Sequence, residues 1–159
     1  MNPPPTLIMR VTSEDLELVR AILEPSDLHV DVEAELSRDI ALPWLIRETL
    51  GGPPVAFLLA WSVADELHLL ELACHPEHRR RGFARGLLNA LMAHAREQYK
   101  RLVLLEVRRS NLAAVSLYGS FGFETTGVRR GYYADTGEDA LEMRITLNPE
   151  TGEVVPNEA

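Results

Sequence analysis

The sequence predicts a mixed α/β (α+β) domain in which helices cover one central sheet. Three observations predict it. Segments with a helical apolar period alternate along the chain with segments of strand character. The strongest helical pattern, Gly82 to Lys100, sets Phe83, Leu87, Leu91, Ala95 and Tyr99 four apart, a stripe that must be buried on a sheet. Directly after it, Leu102 to Val107 is too apolar for a strand with one wet face, which predicts a central strand covered on both sides.

Each element has a local reason. Ser13 to Leu23 reads as a helix: Ser13 is the N-cap, Glu14 and Asp15 favour the first turn, and Leu16, Val19 and Leu23 share a face. Val32 to Arg38 reads as a second, short helix. Ala41 to Thr49 is apolar enough for a strand, and Pro43 is expected to confine it to an edge or a strand start. Gly51-Gly52-Pro53-Pro54 punctuates a turn. Val55 to Val63 and Leu67 to Cys74 read as strands around Ala64-Asp65-Glu66. Ala113 to Phe121 is a shorter helix stopped near Gly122, and two strands, Phe123 to Tyr132 and Leu141 to Leu147, flank a polar turn at Asp135-Thr136-Gly137-Glu138. The expected organisation is one domain over residues 1–147 and a mobile tail over 148–159.

Composition narrows the class. A hydrophobic content of 46% with 25% charged residues excludes a disordered or fibrous chain. The formal charge of −8 speaks against a general nucleic-acid binder and suits a basic partner. The single cysteine, Cys74, excludes an internal disulfide framework and fits a reducing compartment; a zinc site would need several clustered ligands, so no metal is expected. Met1-Asn2-Pro3-Pro4-Pro5 has no basic region followed by an apolar run, so neither a signal peptide nor a membrane span is expected, and the expected location is cytoplasmic.

The chemistry-bearing stretch runs from His75 to Leu88, where Arg79, Arg80, Arg81 and Arg85 surround Gly82, Phe83 and Ala84 at the start of the strongest helix. A helix N-terminus exposes unpaired N–H groups and a partial positive charge, small residues let backbone approach a ligand, and arginines add charge: the pattern suits a phosphate group. A nucleotide P-loop would need Gly-Lys-Ser or Gly-Lys-Thr, and a dinucleotide fold three early glycines; neither is present. Glu106 interrupts the apolar run Leu102-Leu105, where a buried carboxylate would be costly, so it either serves chemistry or sits at the strand's exposed end paired with Arg108. Tyr118 reads equally as a core aromatic, and Asn111 as a helix cap.

Taken in order, Leu72-Ala73-Cys74-His75-Pro76, Arg79-x-x-Gly82-x-Ala84, Leu105-Glu106-Val107-Arg108-x-Ser110-Asn111-x-x-Ala114, Leu117-Tyr118-x-x-Phe121-Gly122-Phe123 and Arg130-Gly131-Tyr132-Tyr133-x-x-x-Gly137-Glu138-Asp139-Ala140 resemble the GNAT acyltransferases, and among them the RimI-type N-terminal α-acetyltransferases. The likeness runs from Leu69 to Met143. It implies a mixed sheet of about six to seven strands splayed open in the middle and about four helices. It further implies that Arg79, Arg80, Arg81, Gly82, Phe83, Ala84 and Arg85 bind the diphosphate of acetyl-CoA, that the backbone of Leu72, Ala73 and Cys74 holds the acetyl group and pantetheine, and that Asn111 contacts coenzyme A. Glu106 matches the general base, Tyr118 the general acid, and Tyr132 and Tyr133 the peptide site.

The implied reaction is direct acetyl transfer to the α-amine of a peptide or protein, with the N-terminal alanine of a small-subunit ribosomal protein as the family's acceptor. A monomer or weak dimer without nucleic acid or membrane partners is expected. Alternatives stay open at this point: a lysine or small-molecule amine as acceptor, or a non-catalytic coenzyme A sensor. His68 and Glu71 lie where some GNAT enzymes carry a base, so either could assist Glu106. His29, His75, His78 and His94 read as loop or surface residues, and Arg108-Arg109 and Arg129-Arg130 as solvated or acid-pairing. The first 68 residues match the family poorly, with Pro43-Trp44 the only echo of its early Pro-Trp.

Overall fold

The computed structural model describes residues 7–23 and 30–157; His29, the proline-rich start and residues 158–159 lie outside them. Among the described residues, eight strands form a mixed sheet: β1 (Ile8–Arg10), β2 (Ala41–Arg47), β3 (Pro54–Val63), β4 (Glu66–Cys74), β5 (Leu102–Arg108), β6 (Glu124–Tyr133), β7 (Glu138–Leu147) and β8 (Val154–Val155). Their order is β1-β2-β3-β4-β5-β7-β6, with β8 beside β7. The described residues also form four α-helices: α1 (Leu16–Leu23), α2 (Val32–Glu35), α3 (Phe83–Glu97) and α4 (Leu112–Ser120). The two strands beyond the six read from sequence are β1 and β8, of three and two residues, too short to show an alternation.

The chain divides into two compact bodies. The first comprises the residues up to Ser62 and Leu70–His94. Here β1, β2 and β3 pair antiparallel, and Val11, Leu16, Val19, Ile22, Val32, Leu45, Phe57, Leu59 and Ala73 form one buried cluster. The entry to α1 differs from the sequence reading. Ser13–Asp15 is a 3-10 turn with Thr12 as N-cap, because the Asp15 carboxylate takes the Thr12 N–H at 2.9 Å and its hydroxyl at 3.0 Å. Asp15 also pairs with Arg47 at 2.8 Å. Pro43 is not on an edge strand. It pairs with Leu59 on β3, while on the other side the β1 register ends at Arg10↔Trp44 and only the Pro43 carbonyl is needed, by Val11 N–H at 2.8 Å. A strand residue's N–H and C=O point the same way, so the donor that proline lacks faces the place where β1 has ended.

The second body comprises Val63–Leu69 and the residues from Ala95 onward. In it β5 pairs parallel with β4 over Glu66↔Leu102 to Leu69↔Leu105 and antiparallel with β7 over Leu102↔Thr146 to Arg108↔Ala140. The parallel register thus covers four residue pairs, and each strand runs on past it, β4 to Cys74 and β5 to Arg108. Leu102, Val103, Leu105 and Val107 are buried, as expected of a central strand. Tyr99 departs from its expected place on the helical stripe. It follows the end of α3 in a left-handed backbone, φ 55°, and is exposed.

Past Leu147 the chain turns at Asn148–Gly152 and pairs β8 with β7, Thr146↔Val155 and Leu147↔Val154. Asn157 then accepts from the Thr146 hydroxyl at 2.6 Å and donates to the Arg144 carbonyl at 3.2 Å. Among the described residues no helix is long and apolar enough to cross a membrane.

Candidate active site

In the first body, β4 alternates, with Glu71 and Ala73 buried and Leu72 and Cys74 half-buried. Burial pushes the Cys74 thiol above its ordinary range, against the pull of Arg79 and Arg81, so it is not a thiolate nucleophile at neutral pH. After Cys74 the backbone turns through Pro76–His78 and reaches α3, with Arg80 and Gly82 both left-handed, φ 64° and 84°. At Gly82 that conformation is what glycine supplies without strain. Arg79 Nε donates to the Cys74 carbonyl at 3.5 Å, tying the turn to the strand end. Arg81 pairs with Glu48 and lies 5.4 Å over the Phe83 ring, while Phe83 is buried and anchors the helix start. Arg79, Arg80, Arg81 and Arg85 are exposed around the first turn of α3. His75, Glu77 and His78 bring one donor each within 4.8 Å of one another, but the three arginines that follow oppose a cation there.

Glu71 is the buried exception on this strand. Only 4% exposed, with Oε2 lacking any hydrogen-bond partner, it has its carboxyl pushed up to about 8 by burial, which outweighs the Leu72 backbone hydrogen bond. His68, the other candidate helper, is hydrogen-bonded to Glu66 at 2.8 Å in the second body.

In the second body, Glu106 is exposed on β5, as one of its two sequence readings expects. Its partner is Arg129 on β6, at 3.2 and 3.4 Å. Arg108 chelates Asp135 at 3.1 and 3.0 Å, approaches Glu138 at 3.6 Å and lies 3.9 Å over the Tyr133 ring. Tyr132 and Tyr133 meet edge to face at 5.2 Å, and the Arg129 guanidinium lies 5.0 Å over Tyr132. Asn111 caps α4 by accepting the Ala114 N–H at 3.2 Å. Tyr118 is buried, its ring edge-on to Phe123 at 5.7 Å.

The predicted residues therefore fall into two groups: Leu72–Cys74 and Arg79–Arg85 in one body, Glu106, Asn111, Tyr118, Tyr132 and Tyr133 in the other. Sequence reasoning missed what ties the second group together. Glu138 accepts the Ser110 N–H at 2.7 Å, and Asp139 accepts the Gly131 N–H at 2.9 Å and pairs with Arg109 at 3.5 Å. Their signal was the acidic pair directly after Gly137, downstream of the basic pairs Arg108-Arg109 and Arg129-Arg130. A cavity of about 500 Å³ opens at the other end of β5, lined by Arg101, Arg144 and Asn148 among others, and none of the predicted residues lines it.

The acetyltransferase (GNAT) family model matches residues 12–123. The chain belongs to the GNAT acetyltransferase family. Within it, the chain is 39% identical over 144 residues to the [ribosomal protein bS18]-alanine N-acetyltransferase of Salmonella typhimurium, covering 80% of this chain and 97% of that enzyme. The Escherichia coli enzyme of the same name is 37% identical over 102 residues, 63% of this chain and 69% of that protein. A Bacillus subtilis relative, 39% identical over 88 residues, is spanned over only 58% of its own length. The crystal structure of the Escherichia coli ribosomal-protein-S18-alanine N-acetyltransferase is similar to this GNAT chain with a TM-score of 0.77 and 31% identity, covering 86% of this chain and 90% of that one. Acetyl-CoA is the co-substrate of the GNAT family, and the turn into α3 has the charge and backbone for its phosphates.

Proposed function

We propose that this GNAT enzyme transfers acetyl from acetyl-CoA directly to the α-amine of a protein N-terminus, the N-terminal alanine of a small-subunit ribosomal protein being the acceptor that its relatives favour. The observation that carries this reading is the network joining Glu106, Arg129, Tyr132, Tyr133, Arg108 and Glu138, because it lies in the segment where the chain resembles N-terminal acetyltransferases most narrowly.

The chemistry fits those side chains. The amine must be neutral to attack the thioester. An α-amine with pKa about 7.8 is neutral in roughly one molecule in seven at pH 7, a lysine near 10.4 in about one in 2,500, a difference of roughly 3.5 kcal/mol. A single exposed carboxylate, Glu106, meets the smaller demand by taking the ammonium proton directly or through water. The amine nitrogen bonds the acetyl carbon, the C–S bond breaks, Tyr118 gives its phenolic proton to the departing thiolate, and the surplus proton on the new amide nitrogen passes to the Tyr118 phenolate, restoring it. Backbone N–H groups near Ala73 and Cys74 polarise the carbonyl, while Arg79–Arg85 and Asn111 hold the coenzyme. Metal has no part in this scheme.

The test offers acetyl-CoA with a free Ala-initiated peptide, an N-blocked lysine peptide and a polyamine. Acetylation of the free peptide is expected; turnover of only the other acceptors, or of none, overturns the reading. Glu106→Gln is expected to lower kcat/KM by about 100-fold or more. Full activity of that variant from pH 6 to 9 would move the base elsewhere.

A further inference from the structure

Arg129 has no role in the reaction as written, yet it occupies a place built for a cation. Glu106 and Glu142 are direct partners across β5 and β7, so two carboxylates stand side by side on one face of the sheet. On β6 the residue opposite Glu142 is Gly127, where a Cβ would come 3.4 Å from the Glu142 carboxyl carbon. No side chain from that position covers the carboxylate. Arg129 reaches in instead, with Nη1 3.2 Å from Glu106, Nε 3.7 Å from Glu142 and Cζ 5.0 Å over Tyr132. Two carboxylates and an aromatic face around one charge are the chemistry that holds a guanidinium or an ammonium. Their side chains are 50%, 34% and 44% exposed for Arg129, Glu106 and Glu142, so the pair is open to exchange with a competing cation.

An acceptor α-amine arrives mostly as an ammonium at neutral pH, and it must reach Glu106 to lose its proton. Two cations cannot share one seat. We infer that Arg129 is a resident stand-in for the acceptor ammonium, holding the Glu106–Glu142 pair until the N-terminus of the acceptor displaces it. The inference rests on the acceptor-side reading of Glu106. It makes Arg129 and Glu142 residues that select a free, charged terminus over a blocked one.

The test is an affinity measurement that needs no turnover. An Ala-initiated peptide, with a free or an acetylated N-terminus, is titrated calorimetrically into the coenzyme A complex of wild type, Arg129→Ala, Arg129→Lys and Glu142→Gln. With its competitor removed, Arg129→Ala should bind the free peptide about 2- to 5-fold tighter than wild type, the span expected of one exposed ion pair. Arg129→Lys should stay near wild type, Glu142→Gln should bind the free peptide more weakly, and the blocked peptide should not distinguish the four proteins. Equal or weaker binding of the free peptide by Arg129→Ala, or no binding to any of them, overturns the inference. Failure of the acetylation assay would instead overturn the assigned reaction, so the two results are read separately.

Discussion

At the residue scale, this chain separates two carboxyls by burial. Glu106 ends in solvent beside a guanidinium, whereas Glu71 is enclosed with an orphaned oxygen and holds its proton to about pH 8. Burial raises the folded-state pKa of Glu71 above its ordinary value of 4.5, so the folded protein keeps a proton that the unfolded chain releases. Stability from this group is therefore fully present below about pH 4.5 and falls as pH rises toward 8, by up to about 1.4 kcal/mol per unit. Glu71→Gln should flatten that slope. Urea midpoints at pH 5.5 and 7.5 check it, and an unchanged slope would assign the pH dependence to other groups. Alternation along β4 makes the enclosure of Glu71 legible as a position, but not its cost, which depends on what packs over it. Arg129 shows the same limit: its partner Glu106 is 23 residues away and across two strand pairings, which local sequence does not encode.

At the element scale, two joints carry the candidate site. The β6–β7 hairpin is pinned by Asp139, which holds the Gly131 N–H and Arg109. Asp139→Ala hands that exposed N–H to water and should cost about 0.5–1.5 kcal/mol of local stability. Faster amide exchange over Gly131–Glu138, with a raised acceptor KM and little change for acetyl-CoA, is the expected signature. At α1, Asp15 closes the capping box and meets Arg47, two side chains only 12% and 15% exposed. The Thr12 and Arg47 hydrogen bonds hold its carboxyl below the usual range even though burial, the largest single influence, pushes the other way. Asp15→Ala should therefore destabilise the protein by about 2–4 kcal/mol, read as a lower denaturation midpoint at unchanged m. Sequence pattern placed this helix within a few residues and missed its start, because Ser13 and Thr12 are equivalent caps until the Asp15 carboxylate chooses between them.

At the scale of the whole molecule, the net charge of −8 attracts a basic acceptor at a distance. Raising salt from about 50 to 500 mM should lower kcat/KM for a basic Ala-initiated peptide by several-fold while leaving a neutral one nearly unchanged. Equal salt responses would confine recognition to short-range contacts. The amino-acid sequence by itself determined the fold class, the order of the helices and of the six longer strands, the phosphate-suited turn from Arg79 to Arg85 and the acetyltransferase family, since these are written in periodicity, small residues and short motifs. Only the tertiary structure decided that Arg108 serves the hairpin, that Arg129 serves Glu106, that Pro43 sits inside the sheet and that β8 docks on β7. Ion pairs and strand pairings between distant residues are chosen by register and by competition among several charges of the same sign, and neither exists until the strands have met.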